Sequence, residues 1–215
     1  KNWIYEIKEI NYFNELQIIN TLPNWYNIVV NKLYKTITNR QLQIFKNKKN
    51  IYRIILFKCH NIKDISVLNN CYDITLYNCY NISNLSSLSS CKNLQLINCN
   101  NILDVSGLSN CKNLKIFNCD NILNINTLGN CKKLTFRSNY ISNASIFSNC
   151  RNLTLDTCDN ISDVSALGNC KKLTLFNCNK ISDISALSNC HFLKIRNCHN
   201  ISDVSALKNC YKLHK

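Results

Sequence analysis

Cysteine recurs along this chain at fixed intervals, and that regularity constrains the fold more than any other feature. From Cys59 onward the steps between successive cysteines alternate between twelve and eight residues, which gives a period of twenty. One unit is shorter, because Cys131 and Cys150 are nineteen residues apart and Asn139 stands where a cysteine is due. A fixed period of this length is typical of repeat proteins, in which each unit contacts only its neighbours.

Each unit also carries two apolar segments. The first is an L-x-L alternation, as at Leu173 and Leu175, which predicts a short strand with one buried face. The second is a set of aliphatic residues at three-residue spacing. A twenty-residue unit cannot bury both segments alone, so stacked units must share one continuous core. The pattern therefore predicts one parallel strand for each unit.

The consensus C-x-x-L-x-L-x-x-C-x-x-I-x-D-V-S-x-L resembles a leucine-rich repeat, with cysteine in the first leucine position, over roughly residues 51–215. Its I-S-D-I-S-A-L segment is similar to the second half of bacterial internalin repeats, shortened by two residues. The resemblance implies an α/β repeat solenoid, a right-handed leucine-rich-repeat array with one parallel β-sheet and short 3-10 or turn segments on the convex side. The abundance of Cys, Asn, Ile and Lys is similar in style to repeat proteins of giant viruses and AT-rich protists.

The N-terminal segment does not repeat. Apolar residues from Trp25 to Leu33 fall at helical spacing after Pro23, which suits the first turn of a helix. Because a solenoid needs its first rung covered, we expect a helical cap over residues 1–40 and the solenoid over residues 41–215. The alternative is an adaptor made of an F-box-like helix pair, which would make the chain a substrate receptor of a ubiquitin ligase.

The junction between these two regions and the C-terminal end carry separate predictions. The segment Gln41–Phe45 resembles a repeat strand, and the next strand at residues 53–57 follows closely, so we expect a hairpin through residues 47–50. The last strand, at residues 212–215, would leave an open sheet edge. An end-to-end dimer through that edge is one expected partner arrangement.

The fifteen cysteines are interpreted as reduced core residues. In-register neighbours on adjacent parallel strands have Cβ atoms about 4.8 Å apart, whereas a disulfide needs about 3.8 Å. The C-x-x-C spacing typical of zinc sites is absent. We therefore expect no metal and no other cofactor, and reduced thiols favour an intracellular location in the cytoplasm, nucleus or virion. No apolar run is long enough to span a membrane, so no membrane partner is expected.

The outward side chains of the strands provide the candidate binding face. Stacking arranges them in columns, and one column has four large apolar residues in succession before it becomes charged. Contiguous exposed apolar surface marks interaction sites. The predicted partner-binding residues are Phe57, Tyr77, Ile97, Phe117, Arg137, Phe176 and Arg196. The predicted basic part of the same face is Lys133, Lys172 and Lys194. Alternatively, the apolar residues only pack on one another or beneath the cap.

Two further columns are assigned structural roles. The aspartates at 64, 104, 163, 183 and 203, with asparagine at 84, 124 and 143, are expected to cap a short helical turn through side-chain oxygens. The asparagines that directly precede the isoleucine of the second apolar segment, such as Asn81 and Asn101, are expected to adopt left-handed backbone conformations.

Together these features predict a non-catalytic protein–protein interaction module. If the source is viral, the natural partner is a host protein; self-association is the other option. A formal net charge of +14 and a basic column from Lys92 to Lys171 support an alternative, binding of nucleic acid or another anionic surface. The four histidines do not cluster with a nucleophile, so no enzymatic activity is expected.

Overall fold

One parallel sheet extends along the whole described part of the chain. A computed structural model describes residues 3–10, 15, 17–22, 26–48, 51–209 and 212–214. Eleven strands lie in sequence order, and every neighbouring pair is parallel. They are β1 (Trp3–Ile7), β2 (Tyr26–Tyr34), β3 (Ile51–Phe57), β4 (Asp73–Tyr77), β5 (Asn93–Ile97), β6 (Asn113–Phe117), β7 (Lys133–Arg137), β8 (Asn152–Asp156), β9 (Lys172–Phe176), β10 (Phe192–Arg196) and β11 (Lys212–His214).

The twenty-residue period sets the register of this sheet. Leu56 pairs with Leu76, and Leu76 pairs with Leu96, so equivalent residues of successive units face one another. These leucines are fully buried and form continuous rows. Burial of each row depends on the units on either side, which is why the array shares a single core.

Short 3-10 helices lie on the side opposite the sheet, as the repeat pattern predicts. Each contributes a buried apolar residue, such as Leu167 or Leu187, to the shared core. The helices are Ser66–Leu68, Ser86–Leu88, Ser106–Leu108, Ile125–Asn130, Ala144–Phe147, Ser165–Leu167, Ser185–Asn189 and Ser205–Asn209.

The fourteen described cysteines are free and buried in two columns of the core. Most of their thiols reach backbone carbonyls of the preceding rung: the Sγ of Cys79 lies 3.3 Å from the Leu56 oxygen, and that of Cys131 lies 3.4 Å from the Leu108 oxygen. A small apolar side chain with a weak donor suits this position, because the residues that supply the carbonyl are buried in the core. Cysteine thus fills the core and partners the backbone.

The shortened unit omits one backbone residue after β7. Ser138 follows Arg137 directly and takes the buried position, with only 2% of its surface exposed. Its hydroxyl donates to Asp120 Oδ1 at 2.6 Å and accepts from the Tyr140 N–H at 3.1 Å. The prediction that Asn139 replaces the cysteine is therefore wrong. Asn139 is exposed and accepts a bond from the Asp159 N–H, as the residue after the cysteine does in other units.

Left-handed backbone occurs three residues earlier than expected. In the described units the residue just after the strand has a positive φ, between 51° and 55°, as at Asn78 and Asn98. The asparagines before the isoleucine do not adopt it. Their side-chain amides instead donate to a carbonyl of the preceding rung, as Asn121 does to Asn100 at 2.8 Å. The short unit lacks a left-handed residue because that residue is the one omitted.

The predicted N-terminal helix is wrong, since residues 26–34 form strand β2. Ile28 and Val30 alternate inward as in a strand, and an irregular register between Val30 and Leu33 then buries Leu33 as well. That three-residue step imitates helical spacing. Pro23 and Trp25 lie outside the described residues. A separate cap over residues 1–40 stays a prediction, but its described part is mainly strand.

The predicted hairpin is also wrong. The chain forms a short helix, α1 (Ile18–Thr21), between β1 and β2. After β2 it forms a second short helix, α2 (Asn39–Leu42), and then a 3-10 turn (Gln43–Phe45) where the hairpin strand was expected. The Thr38 N–H donates to Gln41 Oε1 at 2.9 Å in a capping box, an arrangement that favours helix initiation. The F-box-like helix pair loses its basis, because β1 and β2 occupy much of the segment assigned to it.

We predict that the thiols react slowly in the native protein and completely after unfolding. Burial raises the pKa of Cys91, Cys111 and Cys131 to about 12, which keeps the unreactive protonated form. Hydrogen bonds from the thiols of Cys119 and Cys178 lower the pKa of Cys99 and Cys158, and these two are protected by their burial in the core. A thiol reagent at pH 8 should label few groups before denaturation and fifteen after it, because the sequence contains fifteen cysteines. Rapid labelling of most thiols in folded protein would contradict this packing.

Replacing Ser138 with cysteine, or the neighbouring Cys158 with serine, should destabilise the protein. Ser138→Cys breaks the bond to Asp120, whereas Cys158→Ser buries a hydroxyl whose nearest carbonyl partners lie 3.6–3.8 Å from the sulfur. Each change should lower the free energy of unfolding by about 1–3 kcal/mol. Urea denaturation measures this, with the exposed Ser162→Ala as a control expected to be near neutral. Equal stability of all three variants would refute the assigned roles.

Candidate protein-binding face

Three columns of outward side chains cover the sheet, and their register follows the strand pairing. Each of the five-residue strands β4–β10 contributes its first, third and fifth residues, such as Lys172, Thr174 and Phe176 of β9. In the longer strand β3 the residues that pair with these positions are Arg53, Ile55 and Phe57. The predicted binding residues share the fifth position, whereas Lys133 and Lys172 share the first and Lys194 lies in the third. The sheet thus places the candidates in adjacent parallel lines on rigid strands.

The fifth-position column begins as an aromatic stack. The Phe57 and Tyr77 rings are 4.8 Å apart and almost parallel, at 13°. Tyr34 of β2 extends the column, with its ring 5.6 Å from that of Phe57 in an edge-on arrangement. The sequence reading missed Tyr34 because β2 was taken for a helix. Ile97 and Phe117 continue the line, and the predicted members up to Phe117 are half-buried, so they both pack together and remain accessible.

Arg137 ends the apolar run. Its guanidinium lies over the Phe117 ring, 5.1 Å from the centroid, and its Nε donates to Asp156 Oδ2 at 2.9 Å. A cation over an aromatic face is attracted by the ring's electrons. Arg137 is therefore held in place, and Asp156 offsets much of its charge. Beyond it, Phe176 is half-buried and Arg196 is exposed.

A shallow groove of about 540 Å³ runs beside the aromatic column. Polar side chains from the first and third positions dominate its lining, among them Asn93, Gln95 and Lys115. At one end an exposed ion pair joins Arg53 to Asp73 at 2.7 Å. Near the other end lies Lys133, one of the predicted basic residues, which is exposed. The face thus combines an apolar wall with a polar channel.

The aspartate column caps turns, as expected. Asp163 Oδ1 accepts a bond from the Ser165 N–H at 2.8 Å, and Asn84 and Asn143 accept the equivalent bonds at 2.9 and 2.8 Å. Asn124 differs, because it bonds instead to the neighbouring rung through the Val105 N–H and Asp104. The shared task explains why asparagine replaces aspartate here.

Neither a metal cluster nor a membrane span was found in the part of the chain that the structure describes. No group of three or more His, Cys, Asp or Glu side chains there is arranged to hold an ion. Among the same residues, no helix is long and apolar enough to cross a bilayer.

Parallel strands at a twenty-residue spacing, each followed by a left-handed turn and a 3-10 helix, define a leucine-rich-repeat protein. Solved internalin structures share this architecture. An internalin, inlF, from Listeria monocytogenes matches with a TM-score of 0.55 and 21% identity, over 89% of this chain and 61% of that one. Internalin C2 of the same organism matches at 21% identity over 98% and 77% of the two chains, with a TM-score of 0.31.

The comparison with inlF shows the fold alone. The chain spans 61% of that internalin's length. No family model matches the sequence, and no curated protein matches it. The expected leucine-rich-repeat resemblance to internalins is confirmed at the level of the fold.

The capping aspartates should make stability depend on pH. Hydrogen bonds from the following serine N–H lower the pKa of Asp163, Asp183 and Asp203. Because each folded-state pKa lies below the ordinary value of about 3.9, the unfolded chain takes up protons first. The stabilisation is complete above that value and is lost as pH falls through the folded pKa.

The triple substitution of these three residues by asparagine tests this. At pH 7 we expect nearly unchanged denaturation, because asparagine caps as well as aspartate. Between about pH 4 and pH 2 the variant should lose less stability than the parent chain. A large loss at pH 7 would instead show that the charges themselves matter, as in cation binding.

Proposed function

We propose that this chain is a protein-binding module whose partner docks on the sheet face. The observation that carries the proposal is the line of half-buried apolar side chains from Tyr34 to Phe117, beside the polar groove. Aromatic side chains held on rigid strands are typical anchors of protein interfaces, since little conformational entropy is lost when they bind.

The two halves of the face suggest the chemistry of the partner. Apolar anchors fit the N-terminal half, whereas Lys172, Lys194 and Arg196 make the C-terminal half basic. A partner segment with an apolar residue followed by acidic residues would complement both. The salt bridge to Asp156 reduces the free positive charge at Arg137. Of these two arginines, Arg196 is therefore expected to contribute more to the attraction of an acidic partner.

The cellular setting is part of the proposal. Free buried cysteines suit a reducing compartment, so we propose an intracellular location. The Asn-, Ile- and Lys-rich composition suits an AT-rich genome, and for a viral source the partner would be a host protein. We propose a binding role without catalysis, supported by a fold that presents a broad face. An adaptor role for residues 1–40 is not included, because β1 and β2 belong to the sheet.

Removing two anchors should abolish partner capture. In a pull-down under reducing conditions, we expect the double variant with Tyr77→Ala and Phe117→Ala not to retain the proteins that the parent chain retains. Loss of the Tyr77–Phe57 stack should cost only about 0.5–1.5 kcal/mol beyond the loss of buried area, so circular dichroism should show a folded array. Quantitative mass spectrometry of the retained proteins is the measurement.

Tyr140→Ala is the matched control, because Tyr140 is 76% exposed and lies in the shortened turn after β7, outside the sheet face. It should retain the same proteins as the parent chain. If the double variant binds normally, while Tyr140→Ala abolishes binding, the partner docks on the turns and the sheet-face proposal is wrong.

A further inference from the structure

Positive and negative charges are separated across the solenoid. Every acidic residue between positions 91 and 209 lies at the C-terminal end of a strand or in the turn that follows it. These residues are Asp104, Asp120, Asp156, Asp159, Asp163, Asp183 and Asp203. The opposite edge of the sheet, where the strands begin, has no carboxylate over the same span. That edge therefore presents an unopposed positive potential.

A single file of cations follows this edge, one from each rung, just before the strand starts. We call it the basic stripe; it consists of Lys92, Lys112, Lys132, Arg151 and Lys171. Lys92 is half-buried and the other four are exposed. At about 4.8 Å per rung the stripe is about 19 Å long. Backbone bonds between rungs hold its pitch, for example from the Lys112 N–H to the Lys92 oxygen at 2.9 Å.

Among the described residues, none of the stripe cations takes part in an ion pair. The salt bridges among the described residues join Arg53 to Asp73 and Arg137 to Asp156, and both lie on the sheet face. The stripe's charges are thus available to a ligand. Beside them on β7 and β9 stand Lys133 and Lys172, which raise the local density of positive charge.

A depression of about 750 Å³ lies at the C-terminal end of the stripe, next to the shortened unit. It is lined by three stripe cations together with the amides of Asn149, Asn152 and Asn169, and it contains no carboxylate. Asn152 is fixed by a bond from its Nδ2 to the Lys132 oxygen at 2.6 Å. Cations and amide donors around one concavity are the groups that bind phosphate oxygens.

Aromatic rings extend the same column at its N-terminal end. Tyr52 and Tyr72 occupy the stripe position of the two preceding rungs, with rings 5.0 Å apart and nearly parallel, at 8°. They are 41% and 38% exposed, so both rings are accessible to a ligand. Exposed rings in line with a cationic track are typical of proteins that bind unpaired nucleic acid strands.

We propose that the basic stripe binds the sugar–phosphate backbone of a single-stranded nucleic acid, with Tyr72 and Tyr52 contacting bases at one end. In a duplex each strand winds round the helix while it rises about 3.4 Å per nucleotide along the axis, so a straight row of cations can contact only the few phosphates where a strand crosses it. A flexible single strand can adjust to the pitch of the stripe. An acidic peptide would match the charges but would leave the tyrosines without a ring to stack on.

Fluorescence anisotropy with a labelled twenty-nucleotide oligo(dT) or oligo(U) tests the proposal on the full chain. Five phosphate contacts predict a slope of about −3.5 in log affinity against log salt, or about 100-fold weaker binding between 50 and 200 mM. Neutralising three contacts, with Lys132→Gln, Arg151→Gln and Lys171→Gln, should reduce the slope by about 2. Binding at 100 mM salt should weaken at least tenfold.

The matched control removes the same amount of charge elsewhere. Lys58→Gln, Lys63→Gln and Lys180→Gln alter three exposed lysines that lie beyond the strand ends, so net charge falls equally. This control should bind within about twofold of the parent chain, because only local contacts release counterions. An equal loss in both triple variants would show a general effect of net charge and overturn the proposal.

Tyr72→Ala and the choice of competitor separate nucleic acid from other polyanions. The tyrosine variant should bind oligo(dT) at least fivefold more weakly, because base–aromatic stacking is lost, and its heparin affinity should be unchanged. Duplex DNA and polyglutamate should compete poorly. If Tyr72→Ala has no effect and polyglutamate competes as well as oligo(dT), or if no oligonucleotide binds at 50 mM salt, the proposal is wrong. The sheet-face proposal stands or falls separately, since Tyr77 and Phe117 are not altered.

Discussion

The in-register stacking of identical short units is the constraint on which this structure depends. A single rung has one strand, one turn and one 3-10 helix, and its apolar residues become buried only between two other rungs. The pairing of equivalent residues every twenty positions places leucine on leucine and cysteine near cysteine. A change of side chain at one position therefore affects the packing of the whole column to which it belongs. Core and surface alike are built as lines rather than as patches.

Periodicity made most of the fold predictable, because the cysteine steps and L-x-L alternation report both the strand and its register. The sheet columns from Phe57 to Arg196 follow directly from that register. Prediction failed where the period was interrupted. In β2 an irregular step between Val30 and Leu33 gives apolar spacings like those of a helix. In the short unit, counting alone could not decide whether Ser138 or Asn139 would fill the buried position.

Some short motifs predict structure that the period of the repeat does not show. The T-x-x-Q pattern from Thr38 to Gln41 indicates a helix start, and the structure contains that capping box. The nineteen-residue unit already places Arg137 and Asp156 side by side in the column from Phe57 to Arg196, and the structure adds the ion pair that joins them. Tyr34 was missed, since its place in the aromatic column depends on β2.

The omitted residue after β7 has a consequence for folding accuracy. In an array of equal units, a chain that pairs one rung too far along still buries similar rows, so the mistake is nearly isoenergetic. Ser138 differs, because its buried hydroxyl requires the carboxylate of Asp120, which only one neighbouring rung supplies. A displaced pairing would replace the Asp120 carboxylate with the neutral amide of Asn100, the equivalent residue one rung away, and so weaken this bond in the wrong alignment. The irregular rung thus favours the correct pairing of strands in an otherwise repetitive molecule.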